Sequence, residues 1–316
     1  MLLDNEEKVL TYVNTEKSCF GNETFVDAVL LSGGMVNYVW KITSQSGQSI
    51  VCKVYPPFIR TLPHLAFDVR RAEVEWKTMN AAYQLSKTNN ACWTTPKPVY
   101  FDSENNLVFM EFVEGVSLFD WLSCSNSDNA DPQTLDWITS ATKSFVTDTS
   151  IIQLDKELLT NTPMVNFLKS RKPLIPNVFE RISTDEKEKW IKLVQNEDCS
   201  DQFIYGDLWP SSILLNINEK RITIIDWECA RMGNSFEDTT QLMANLYLMT
   251  KGVNFNNQLS TILLEKIAKT LNSNGNERMQ ADFIYTTLTL VPIAHWGLQD
   301  QLQVANECEL VAQKLL

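Results

Sequence analysis

The stretch DQFIYGDLWPSSILLNINEKRITIIDWECA, residues 201–230, carries two carboxylates, Asp207 and Asp226, at the two ends of an apolar segment that reads as a β-hairpin. Each sits where a strand gives way to a turn, so both can converge at one end of that hairpin. Two convergent aspartates suit phosphoryl transfer. One orients the attacking hydroxyl and takes its proton, and the other holds a magnesium ion against nucleotide phosphates. Further upstream, Gly33 and Gly34 in LSGGMVNYVWKI form a turn between strands. Glycines there let backbone amides approach phosphate oxygens closely, although a Gly-Gly pair alone is more often a plain hairpin turn. Lys53 lies inside the apolar strand IVCKVY. An ammonium there needs either a carboxylate partner or an outward orientation. Glu73 and Glu75 in RRAEVEWKTMNAA are the candidate partners. Glu75, with Met79 and Ala82 at i+4 and i+7, lies on the more apolar side of the helix and is favoured, with Glu73 left open.

These residues need elements to hold them. DNEEKVLTYVNTE has helical spacing behind an acidic first turn. TFVDAVLL, MVNYVWKIT and QSIVCKVY read as an antiparallel meander. PPFIRTLPHLAFD reads as a proline-marked loop, VRRAEVEWKTMNAAYQL as a helix, and KPVYFDS with NLVFMEFVEG as a second hairpin turned by SENN. After Gly115 helical spacing dominates, apart from the 201–230 hairpin, and the polar CSNSDNADPQ reads as a surface loop. The expected organisation is a mostly β lobe with one main helix over 1–111 and a mostly helical lobe over 112–316, an α+β chain.

Composition narrows the function classes. The chain has 316 residues, 44% of them hydrophobic and 21% charged, with 10 Gly and 11 Pro, which fits an ordinary globular protein. A formal net charge of −12 argues against nucleic acid as a partner and would suit a cationic acceptor, though solubility alone explains it as well. Seven scattered cysteines without a C-x-x-C pair fit reduced thiols in a cytoplasmic protein. Two histidines, His64 and His295, make a histidine-based metal site or hydrolytic triad a poor fit. No signal peptide or membrane span is expected.

The text Y-G-D-x-x-x-x-S, then a hairpin, then I-D-W-E, resembles the phosphotransferase family that includes aminoglycoside and choline kinases, whose usual text is H-G-D-x-x-x-x-N followed by I-D-[WF]-E. GDLWP and SGGMVNYVWKI are most similar to fungal small-molecule kinase-like proteins and to ketosamine kinases. The resemblance implies a bilobal protein-kinase-like fold and an ATP- and Mg2+-dependent kinase acting on a hydroxyl of a small metabolite. It implies Asp207 as catalytic base and Asp226 as metal ligand, with Ser212 where the family has its second ligand, asparagine. It implies nucleotide contacts at Gly33, Gly34, Asn37 and Lys53, with Glu75 holding the lysine. It also implies a hinge of Met110, Glu111, Phe112 and Val113, and a brace at Asp238.

Two positions depart from the family text. Tyr205 replaces a largely architectural histidine. Ser212, shorter and a poorer ligand than an amide, motivates the alternative of a pseudokinase-type module that binds nucleotide or metabolite with little turnover. Trp209, Trp227 and Trp296 are read first as packing residues and second as pocket walls. Glu228 and Asp120 are acids that could attract a cation.

Overall fold

The computed structural model describes residues 1–31, 34–123, 132–160, 162–196, 202–270 and 276–316. Gly33 and most of the expected CSNSDNADPQ loop lie outside the described residues. The chain begins with α1 (Glu6–Thr15), whose N-cap Asn5 accepts the Lys8 amide at 3.0 Å, with Glu6 and Glu7 complementing the helix dipole. Then come β1 (Phe25–Leu30), β2 (Tyr38–Ser44), β3 (Ser49–Val54), β4 (Phe58–Ile59), β5 (Leu62–Ala66), α2 (Arg71–Thr88), β6 (Trp93–Thr94), β7 (Pro98–Asp102) and β8 (Leu107–Glu111). The remainder comprises β9 (Val116–Ser117), α3 (Leu118–Leu122), α4 (Pro132–Thr149), α5 (Lys156–Thr160), α6 (Pro163–Arg171), α7 (Ile175–Phe179), α8 (Lys187–Gln195), β10 (Gln202–Ile204), β11 (Ile213–Asn216), β12 (Arg221–Ile224), β13 (Arg231–Gly233), α9 (Glu237–Lys251), α10 (Asn257–Thr270), α11 (Glu277–Leu290) and α12 (Gln301–Leu315).

The first lobe is built on an antiparallel sheet in the order β1-β2-β3-β8-β7. Its two faces have different partners because side chains alternate along a strand. Cys52 and Val54 of β3 pack with Val9, Val13, Phe20 and Trp40 under α1. Val51 and Tyr55 face the other way, into the main core with Ala72, Val74, Met79 and Ala82 of α2. Lys53 falls in the second set by the same period of two, so it projects toward α2 and not into solvent. Hydrogen bonds hold α1 and the chain ahead of it in place: Tyr12 Oη to Asp102 at 2.6 Å, Asn14 Nδ2 to Phe25 O at 2.9 Å, the Phe25 amide to Asn14 Oδ1 at 3.0 Å, and Trp40 Nε1 to the Leu3 carbonyl at 3.0 Å.

The segment expected as a loop at 56–68 instead contains the hairpin β4–β5. Its strand residues are partly or fully exposed, so no apolar alternation marks it in the sequence. Backbone pairing holds it against the glycine turn: the Arg60 amide donates to Val36 O at 3.0 Å and the Thr61 amide to Met35 O at 3.1 Å. In the second lobe β11 and β12 form the expected hairpin, in a sheet ordered β6-β12-β11-β9. β6, before the expected lobe boundary, joins this sheet parallel to β12. Among the described residues no helix is long and apolar enough to cross a membrane.

Candidate active site

β3 and α2 together create the centre of the site. On α2, Arg71, Glu75, Thr78, Met79, Ala82 and Ser86 recur at helical spacing on the buried face. That places Glu75 under Lys53 Nζ at 2.6 Å, with the lysine side chain 4% exposed and the glutamate 0%. Glu73 faces outward and pairs with Lys77. Tyr55, two residues beyond Lys53 on the same strand face, donates its hydroxyl to the same Glu75 oxygen. Lys53 also bonds directly to Asp226 Oδ1. Burial alone would lower the lysine pKa, but the Asp226 and Glu75 carboxylates outweigh it and hold the ammonium charged well beyond its ordinary range.

The two aspartates are brought together by the β11–β12 hairpin. Ile213 pairs with Ile224, and the Ile225 amide donates to Ser212 O at 3.0 Å, so the segments entering and leaving the hairpin lie side by side. Tyr205 ties them further. Its hydroxyl donates to the Ile225 carbonyl, just ahead of Asp226, and its ring packs edge-on against Trp227 at 5.0 Å. Asp238 accepts the amides of Tyr205 at 2.8 Å and Gly206 at 2.6 Å, which braces the strand-to-loop transition ahead of Asp207. Gly206 has φ +83°, and a Cβ there would run into Arg231 and the Cys229 carbonyl, so only glycine fits before Asp207. Asp226 itself adopts φ 66°, ψ 63°, a left-handed backbone uncommon outside glycine.

Asp207 is half-buried, and its Oδ1 accepts from Gln241 Nε2 at 3.0 Å. Burial first, and the Asp226 carboxylate second, push its pKa up to about 7. Asp226 is 44% exposed on its side chain. An exposed carboxylate of this kind would supply one hard oxygen ligand to a divalent cation such as magnesium. Ser212 is 1% exposed. Its hydroxyl contacts Asp207 O at 3.0 Å and Trp209 O at 2.8 Å and accepts the Trp209 amide at 3.2 Å, so it stitches the turn and would have to leave that turn to reach a metal.

The nucleotide-side residues are placed as follows. A Cβ on Gly34 would sit 2.9 Å from Asn37 O, so the 34–37 turn needs glycine for its tightness. Arg60 of the unexpected hairpin donates to Gly34 O through Nε at 2.8 Å. Asn37 is buried against Arg71 and Glu228. Met110 is buried in β8, paired with Val51 and Pro98. The Glu111 amide donates to Lys97 O at 2.9 Å and the Phe112 amide to Ser49 O at 3.3 Å, so neither is available to a base edge. Of the four expected hinge residues, Val113 is the one whose amide enters no such backbone bond among the described residues.

Two residues past Asp207, Trp209 is half-buried in an aromatic group with Phe119, centroids 6.3 Å apart, and His295 at 6.5 Å. Trp227 and Trp296 are fully buried packing residues. A cavity of about 800 Å3 lined by α1 and β7 contains none of the expected site residues. Reading the sequence missed Tyr55, Arg60, Arg71 and Gln241. Tyr55 and Arg71 had a signal, sharing a strand face with Lys53 and a helix face with Glu75; Gln241 had none.

Residues 27–265 match the family described as "Phosphotransferase enzyme family". The chain is 23% identical over 284 residues to the 4-hydroxytryptamine kinase of Psilocybe cubensis, covering 79% of this chain and 75% of that protein. Among solved structures it resembles an amicoumacin kinase in complex with AMP-PNP and Ca2+, with a TM-score of 0.56, 12% identity, and 89% and 87% of the two chains covered. It also resembles a Plasmodium vivax ethanolamine kinase, with a TM-score of 0.55, 13% identity, and 98% and 89% covered. These likenesses establish a protein-kinase-like fold.

Proposed function

The chain belongs to the phosphotransferase enzyme family, and from that premise we propose that it moves the γ-phosphoryl group of ATP to a hydroxyl of a small metabolite. The observation that carries this reading is the constellation of Lys53, bonded to both Glu75 and Asp226, with the Asp207 and Asp226 segments held side by side by the β11–β12 hairpin. When bound, ATP supplies the phosphoryl group and Mg2+ neutralises its charge. Lys53 is assigned to the phosphates, Asp226 to the metal and, of the expected hinge 110–113, the Val113 amide to the adenine edge, between lobes divided at 111/112. Asp207 would orient the acceptor hydroxyl and take its proton as the new O–P bond forms and the bond from the γ-phosphorus to the β–γ bridging oxygen breaks, with ADP leaving. Gln241 fixes the carboxylate for that task. The retained Lys53–Glu75 pair and both aspartates support an enzyme over the regulatory-module alternative.

For the acceptor, the aromatic group that Trp209, two residues past Asp207, forms with Phe119 and His295 supports a planar aromatic ring. The similarity to a 4-hydroxytryptamine kinase and the net charge of −12 support a hydroxylated aromatic amine as the first candidate. A cytoplasmic location fits a consumer of ATP.

Thermal melting with Mg-ATP, followed by product analysis over a panel of hydroxylated aromatic amines, amino alcohols and sugars, tests the proposal. A melting shift and a phosphorylated product from one class are expected. No shift and no product with any class would overturn it.

Two further expectations arise here. Asp207 works deprotonated, so with its pKa raised to about 7 activity should be lost as pH falls through that value. kcat/KM for the nucleotide reports the free enzyme and should show this limb. kcat should show it at lower pH, because a cation on Asp226 removes the second cause of the shift. A flat kcat/KM over about pH 6–8 would count against Asp207 as the base. Ser212→Ala should destabilise the fold by about 1–3 kcal/mol, through the backbone groups left unpaired, and leave the Mg2+ dependence of the rate unchanged. A large rise in the Mg2+ concentration required would instead make the serine a metal ligand.

A further inference from the structure

Arg71, Asn37 and Glu228 form a polar cluster that no step above uses. Arg71 is 1% exposed and Asn37 4%, and the Glu228 side chain is 13% exposed. They come from three elements: the turn ahead of β2, the first residue of α2, and the segment just past Asp226. Arg71 Nε lies 3.2 Å from Glu228 Oε2. Arg71 Nε and Nη2 donate to Asn37 Oδ1 at 3.3 and 3.1 Å. Asn37 Nδ2 is 3.0 Å from both Glu228 oxygens. Each residue therefore bonds the other two. The remaining guanidinium donors are anchored too: Nη1 to Phe67 O at 3.1 Å and Asp68 O at 2.9 Å, and Nη2 to Pro56 O at 2.8 Å.

A buried ion pair of this kind adds little net stability over an apolar replacement, but its geometry is directional. Both Glu228 oxygens face Asn37, and one also faces Arg71, so this carboxylate is not turned toward a metal on the neighbouring Asp226. Asn37 has its carbonyl on Arg71 and its amide on Glu228. It therefore acts on a nucleotide through the backbone of its turn and not through its side chain. Arg71 also lies one helical turn before Glu75, so one face of α2 carries both the partner of Lys53 and the hub of this cluster.

We propose that Arg71 is a positioning residue: through Asn37 and Glu228 it locks the 34–37 turn to the Asp226 segment, so that the glycine turn, α2 and the metal carboxylate move as one body. The consequence for turnover rests on the nucleotide reading above; the mechanical link does not.

Amide hydrogen exchange of the nucleotide-free protein reads the link directly. Arg71→Met should raise exchange at 34–37 and 227–230 by about tenfold or more while the α9 core stays protected. Unchanged exchange in both segments would overturn the lock. In turnover, Arg71→Met should raise KM for ATP and lower kcat, each about tenfold, whereas Asn37→Ala should raise KM more than it lowers kcat. The double variant should match Arg71→Met within about twofold, because the lock is already open. KM effects that multiply would mean Asn37 touches the nucleotide itself, and would also overturn the lock. Should Arg71→Met fail to melt cooperatively, Glu228→Gln replaces it in both experiments, keeping the size and removing the charge that faces Arg71. A wild-type protein that neither binds nor uses Mg-ATP would sink the kinase reading alone, and the exchange result would still decide the lock.

Discussion

Asp207→Asn is expected to lower kcat by about 10²–10⁴-fold, the range a positioned general base supplies. Affinity for Mg-nucleotide should stay within about threefold, since the residue acts on the acceptor and not on the phosphates. The substitution suits the question because asparagine keeps the oxygen that Gln241 holds at 3.0 Å and removes only the basic charge. Steady-state ADP release gives the rate, and calorimetric titration of the nucleotide gives the affinity. A variant that keeps full turnover would remove the proposed base. One that loses nucleotide binding in parallel would move Asp207 from the acceptor side to the phosphate side.

Lys53→Met should be the most disruptive change to both fold and chemistry. Lys53 is 4% and Glu75 0% exposed on the side chain, so removing the cation leaves a buried carboxylate with the Tyr55 hydroxyl and no charge partner. Glu75 Oε1 already lacks a hydrogen bond. Breaking a buried pair in this way costs about 3–5 kcal/mol. The pH dependence has a definite sign. In the wild type the lysine pKa is raised above its ordinary 10.5, so the stabilisation is complete below that value and is lost only as pH rises through the folded-state value. Burial already pushes the Glu75 pKa up to about 7 against the lowering pull of Lys53, and removing the lysine raises it further, so the deficit should grow as pH rises above the ordinary glutamate value of 4.5 toward that raised value and shrink on acidification. Chemical denaturation at several pH values measures this. Wild-type stability at pH 7 would show that the pair contributes nothing. Turnover should fall with it by about 10²–10³-fold, as when one electrostatic contact to a developing charge is lost.

Where the placement of a residue depends on residue type and short spacing, it was legible from the sequence. The two aspartates flank a hairpin whose apolar residues announce it, and helical period favoured Glu75 while leaving Glu73 open. The strands β1, β2, β3, β7 and β8 all lie in segments whose Val, Ile and aromatic content suggested them. The hairpin β4–β5 was not legible, because it is held by backbone pairing to the glycine turn and has no buried face to pattern it. Which amides of the proposed hinge remain available could not be read from the sequence, since that depends on register against Lys97 and Ser49. Ser212 could be judged only as a ligand type; that its hydroxyl serves the turn is a fact of three dimensions. The bond from Asn37 to Glu228 spans 191 residues, and nothing local at either end announces the other.

The left-handed backbone at Asp226 bears on how this chain should be probed. Asparagine and glycine occupy that conformation at little cost, whereas alanine does so at a penalty of about 1–2 kcal/mol. An alanine scan would therefore mix a conformational fault with the loss of a carboxylate, and would exaggerate this position relative to Asp207, whose preceding glycine absorbs the turn. Asn at 226, with Gly as the backbone control, separates the two contributions, and a mutational survey that ranks side chains by alanine alone will rank this one wrongly.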